Sequence, residues 1–182
     1  MSSWIKRTAL AAVATAALMG AASAEVVYNR ANSGEPETLD THKTSTVQES
    51  HILRDMLEGL VTYSAKGEAV PGQAEKWEVS DDGKTYRFTL RNGLKWSNGD
   101  PVTAEDFVYS YRRIMDPATG AKYANILYPI KNAEKINKGQ DKPVELVVKA
   151  LDDKTVEITL ESTTPYFIEM LTHQSCMPVH KA

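Results

Sequence analysis

The chain has 182 residues, 42% of them apolar and 25% charged, and a formal net charge of −3. Such a composition fits a globular protein and excludes a disordered or fibrous one, and no basic cluster points to a nucleic-acid partner. The single cysteine, Cys176, excludes an intramolecular disulfide framework.

The first residues read as an export signal. Lys6 and Arg7 form a positive start, Thr8 to Met19 is apolar and alanine-rich, and Ala22-Ser23-Ala24 is a small-x-small cleavage site. The apolar run is shorter than the ~20 residues a membrane span needs. Cleavage is expected before Glu25, leaving 24 acidic against 19 basic residues. No cysteine follows Ala24, so the new N-terminus is expected to carry no lipid and the product to be a soluble periplasmic protein.

The remaining chain is taken in order. Glu25 to Tyr28 is β-prone and reads as a first strand, ended by the Asn32-Ser33-Gly34 turn cluster. Thr46 and Glu49 make a capping box. Ile52, Leu53, Met56, Leu57 and Leu60 follow on one helical face, with Gly59 marking the end. Ser64 to Pro71 reads as loop. Two hairpins of one style follow. Lys76–Ser80 turns through Asp81-Asp82-Gly83-Lys84 into Thr85–Arg91, and Val144–Leu151 turns through Asp152-Asp153-Lys154 into Thr155–Leu160. Tyr86, Phe88 and Leu90, then Val156, Ile158 and Leu160, alternate with polar residues, as half-buried strands do. Between the hairpins Thr103, with Asp106 at the third helical position, caps a helix. Its apolar face is Phe107, Val108, Tyr111, Ile114 and Met115, and Asp116-Pro117 stops it. A weaker helix runs from Lys131 to Asn137. Thr164-Pro165 reads as the start of a last helix that turns Tyr166, Phe167, Met170 and Leu171 to the sheet. The expected class is α+β with antiparallel pairing.

Candidate chemistry is sparse. The aspartate pairs at 81/82 and 152/153 sit at hairpin tips, where turn geometry favours them. His173, Cys176 and His180 match no zinc spacing, so no metal is expected. His42 and His51 read as isolated surface or packing residues. There is no phosphate loop and no nucleophile elbow, so neither an enzyme nor a cofactor is expected. Trp77, Trp96, Tyr86 and Phe88 read as core of the hairpin sheet.

The run from Ala74 to Pro117, AEKWEVSDDGKTYRFTLRNGLKWSNGDPVTAEDFVYSYRRIMDP, resembles the signature region of the extracellular solute-binding proteins, family 5, that serve peptide, dipeptide and nickel ABC importers. Gly34 to Lys43, Glu49 to Val61 and Thr164 to Ala182 support the likeness, which lies nearest the oligopeptide-binding members. The resemblance implies part of a type II periplasmic-binding-protein clamshell. Residues 25–61 would be the first strand and helix of the large N-terminal lobe. Residues 62–182 would be mainly the small inserted domain, with antiparallel hairpins and covering helices. The opposing lobe is absent from these 182 residues; a gene fragment, a frameshifted product and a truncated chain are the alternatives. The resemblance also implies an oligopeptide ligand paired through its backbone, an inner-membrane permease and ATPase as partners, and a monomer. It maps the peptide-pairing segment onto Ser45, Thr46 and Val47 and an aromatic contact onto Tyr123. Serine stands at position 45 where a relative carries glutamate, and the acidic anchor for the peptide's amino terminus would belong to the absent lobe. Read alone, Ser45–Val47 serves equally well as a plain helix cap. A receptor for another solute (dipeptide, nickel or haem) and a folded remnant that binds none are the competing functions.

Overall fold

The computed structural model describes residues 27–181. The expected export signal and its cleavage site lie outside the described residues, as do Glu25 and Val26. Val27 and Tyr28 form no strand and are exposed. No described segment pairs with them, and a lone strand has nothing to satisfy its backbone groups. From Asn32 onward the chain forms one compact unit.

Helix α1 (Val47–Met56) opens on the Thr46/Glu49 capping box and ends at Leu57, whose extended backbone still donates to the Leu53 carbonyl. The sequence predicts a longer helix, to Gly59. Tertiary pairing overrides that expectation: Gly72 N–H and Ala74 N–H both donate to the Leu60 carbonyl, and Gln73 N–H donates to that of Gly59. Gly72 is needed here, because a Cβ would come within 2.6 Å of the Gly59 oxygen. Met56 consequently faces solvent while Leu60 is buried outside the helix. The expected loop at 64–71 holds part of a small hairpin, β1 (Val61–Tyr63) with β2 (Ala69–Pro71). Three-residue strands are too short to show an alternating pattern.

The main sheet contains β3 (Ala74–Val79) and β4 (Thr85–Leu90). Helix α2 (Ala104–Met115) follows, then the short α3 (Ala133–Asn137). The second hairpin, β5 (Val148–Asp152) and β6 (Thr155–Thr159), completes an antiparallel sheet of order β3-β4-β6-β5. The two hairpins therefore pair with each other, Phe88 opposite Val156 and Tyr86 opposite Ile158. On one face these residues meet Phe107, Val108, Tyr111, Ile114 and Met115 of α2, all buried. On the other face Glu78, Arg87, Glu157 and Lys149 stand opposite one another across the four strands, in alternating charge. Arg87 Nε donates to Glu157 at 2.8 Å. Facing pairs of this kind favour the observed register over a slip that would oppose like charges.

The Thr164 turn departs from expectation. Helix α4 is only Phe167–Met170. Thr164 Oγ1 donates to the Ser162 carbonyl instead of capping the helix. Phe167 enters the core and meets Tyr86 edge-on at 5.1 Å, while Tyr166 points outward. Trp96 also departs from the predicted sheet core. It lies in the turn before α2, its Nε1 donating to Asp106 at 3.4 Å and its ring 5.3 Å from that of His180.

Candidate functional site

The start of α1 is fixed by one carboxylate. Glu49 Oε2 accepts from the Ser45 and Thr46 N–H groups at 2.8 and 2.9 Å. Its Oε1 accepts from those of Glu37 and Thr38 at 3.2 and 3.3 Å. The side chain is only 1% exposed. The Thr46 and Ser45 amides stabilise its charge and hold its pKa down at about 2. The capping box thus has a second function: it binds the 37–38 segment to the 45–46 segment. Thr46 is held extended, with φ −112° and ψ 158°. Two main-chain groups flank it without partners among the described residues, the Ser45 carbonyl and the Val47 N–H. The latter is one of the first-turn donors that a helix leaves open.

Around this corner lies a groove of about 200 Å³, lined by Ser45, Thr46, Val47, Ser50, Arg54, Tyr123, His173 and Gln174. All four residues singled out in the sequence line it. Tyr123 arrives from the turn after α2, and its ring lies 5.1 Å from that of His173. His173 is neutral near pH 7, since burial and then the charge of Arg54 lower its pKa to about 4. The sequence reading missed Ser50, Arg54, His173 and Gln174 as lining residues. A signal existed for two of them: Thr46, Ser50 and Arg54 recur every four residues and share one helix stripe. His173 and Gln174 reach the groove only through tertiary folding.

The other singled-out side chains have separate settings. Cys176 is buried, its thiol pKa pushed up to about 12, and it donates to the Met170 carbonyl at 3.6 Å. His180 stands beside Asp100 at 3.1 Å. Among the described residues no group of three or more His, Cys, Asp and Glu side chains could hold a metal. His42 is not the isolated histidine expected. It is buried, and its Nδ1 accepts from Arg113 Nη1 at 2.7 Å. Arg113 also forms a two-pronged ion pair with Asp40, at 2.9 and 2.6 Å. Burial first, then Arg113, lowers the His42 pKa to about 4. Two wider concavities, of about 430 and 420 Å³, lie on either side of Leu57, Trp96 and Pro178. Neither contains any of the four sequence-derived residues.

Comparison with known proteins bears on the family and the fold. The bacterial extracellular solute-binding proteins, family 5, middle region, match residues 68–182. The periplasmic oligopeptide-binding protein OppA of Haemophilus influenzae is 47% identical over 150 residues, 81% of this chain and 28% of that protein. OppA of Escherichia coli is 42% identical over an alignment covering 100% of this chain and 36% of its own length. The chain therefore spans about a third or less of these relatives. The crystal structure of Haemophilus influenzae OppA in complex with the peptide RPPGFSPFR superposes with a TM-score of 0.80 at 47% identity, covering 82% of this chain and 30% of that one. The α+β fold with its hairpin sheet is thus that of part of a type II periplasmic binding protein, and the chain belongs to family 5 of the bacterial extracellular solute-binding proteins.

Proposed function

We propose that this chain is the N-terminal part of a periplasmic receptor that binds oligopeptides through their backbone and delivers them to an ABC permease and ATPase. Residues 1–24 would direct export and be removed before Glu25, with no cysteine at the new N-terminus to carry lipid. Residues 25–61 would belong to the large lobe and 62–182 mainly to the small inserted domain. The opposing lobe would be supplied by chain beyond this portion, and the assembled receptor would act as a monomer.

One observation carries the reading. Ser45, Thr46, Val47 and Tyr123, nearly eighty positions apart at the extremes, line one groove. Its extended corner offers a carbonyl and an N–H with the alternation that an added peptide strand requires. Binding by this portion alone is expected to be weak. Small-ligand sites bury roughly 70–90% of the ligand surface, and one wall cannot offset the several kcal/mol of lost translational and rotational freedom. Calorimetry with tri- to pentapeptides tests this. Millimolar or weaker binding to residues 25–182, and tight binding to a chain that includes the opposing lobe, is the expected outcome. Micromolar binding by residues 25–182 would show that they hold a complete site, and no binding by the longer chain would remove the peptide reading.

A further inference from the structure

Resting on the reading of the groove as a peptide site, we propose that it selects a carboxylate on the bound peptide, from an acidic side chain or from the C-terminus, and that Arg54 determines this preference. The groove is rich in donors. Arg54 brings a guanidinium, and Ser45, Thr46, Ser50 and Tyr123 bring hydroxyls. His173 Nδ1 accepts the Ser175 N–H at 3.2 Å, so the ring of this neutral histidine carries its proton on Nε2 and can donate from there.

Negatively charged groups are missing from the same wall. No Asp or Glu lines the groove. The adjoining carboxylate, Glu49, is buried, and both its oxygens are taken by four backbone N–H groups. Arg54 has no carboxylate partner among the described residues. Its guanidinium lies 5.6 Å over the Tyr63 ring, a contact that orients the cation without neutralising it. The groove thus presents a positive charge with no carboxylate partner among the described residues, in a space of about 200 Å³, room for about seven waters or for one carboxylate-bearing side chain. A carboxylate entering it gains charge-assisted hydrogen bonds. A lysine side chain meets a like charge, and only neutral acceptors, the hydroxyls, the Gln174 amide and the Ser45 carbonyl, stand on the wall to offset it.

The test is an amide-resonance titration of the chain at pH 7 and low salt with four peptides: Ala-Glu-Ala, Ala-Gln-Ala, Ala-Lys-Ala and C-terminally amidated Ala-Gln-Ala. Exposed ion pairs set the scale, so Ala-Glu-Ala is expected to bind about two- to fivefold more tightly than Ala-Gln-Ala, and Ala-Lys-Ala more weakly than both. If the terminal carboxylate is the one held, amidation weakens Ala-Gln-Ala by the same factor instead. Arg54→Gln should bring whichever ratio is found to about one, and Arg54→Lys should retain part of it. Equal affinity for all four peptides, with the Ser45–Val47 amides still shifting, overturns the carboxylate preference and leaves the peptide site standing. A ratio that survives Arg54→Gln overturns the assignment to Arg54. If none of the peptides shifts those amides, either in this chain or in one that includes the opposing lobe, the underlying peptide reading fails and the preference with it.

Discussion

Replacing Glu49 by glutamine keeps the shape of the side chain and removes its charge. The carboxylate accepts four backbone N–H bonds, from Glu37, Thr38, Ser45 and Thr46, in a site only 1% exposed. A glutamine has one acceptor oxygen, and its NH2 group confronts two of those donors. Each buried donor left without a partner costs about 1–3 kcal/mol. Two such losses, partly relieved by water at the exposed Ser45, give a destabilisation of about 2–4 kcal/mol. For a unit of this size that is a fall in Tm of roughly 5–15 °C. Urea unfolding and thermal melts followed by circular dichroism measure it. The pH dependence is a second check. The folded carboxyl titrates at about 2, below its ordinary value near 4.5. The advantage of the wild type is therefore complete above about pH 4.5 and fades as the pH falls towards 2. A Glu49→Gln protein within 0.5 kcal/mol of wild type at pH 7, or a difference unchanged down to pH 2, would refute the view that this carboxylate holds the 37–38 and 45–46 segments together.

Acid should weaken the fold in two stages. His42 and His173 both have folded pKa values lowered to about 4, so the stability they contribute is present above about pH 6.5 and is lost as pH falls through 4, before Glu49 protonates. Tm measured from pH 7 to 3 should fall throughout, and His42→Gln should flatten the upper part; a constant Tm between pH 7 and 4 would contradict the assignment. Phe107→Ala, at a core position with 0% exposure, should cost about 3–5 kcal/mol in urea unfolding. Tyr166→Ala, 62% exposed, should stay within about 0.5 kcal/mol, and a larger loss would restore Tyr166 to the core.

What could be read in advance was what short-range chemistry decides. The Thr46/Glu49 and Thr103/Asp106 boxes start helices because donor and acceptor lie three residues apart. The Asp-Asp hairpin tips and the alternation of Tyr86, Phe88 and Leu90 needed no tertiary information. The readings that failed depend on contacts distant in sequence. Leu60 fits a helical stripe, yet its carbonyl is taken by Gly72 and Ala74. His42 looks solitary, and its partner Arg113 is 71 residues away. Tyr166 and Phe167 are neighbours of similar chemistry, and only the geometry of the short α4 turn decides which one is buried. In the groove, Ser50 and Arg54 were missed although they follow Thr46 at four-residue spacing, whereas the approach of His173 to Tyr123, fifty residues apart in the chain, is decided by tertiary folding.

The measurement that bears most directly on backbone pairing at this corner is the peptide affinity of Val47→Pro. Val47 is the first residue of α1, where proline is tolerated and the lost N–H has no helical partner. Thr46 already has the extended conformation that a following proline demands. The substitution therefore removes the candidate peptide donor and spares the fold. In an amide-resonance titration with trialanine, the affinity should fall about two- to tenfold, the worth of one hydrogen bond, with Tm unchanged. An unchanged affinity at unchanged Tm would contradict backbone pairing at Ser45–Val47.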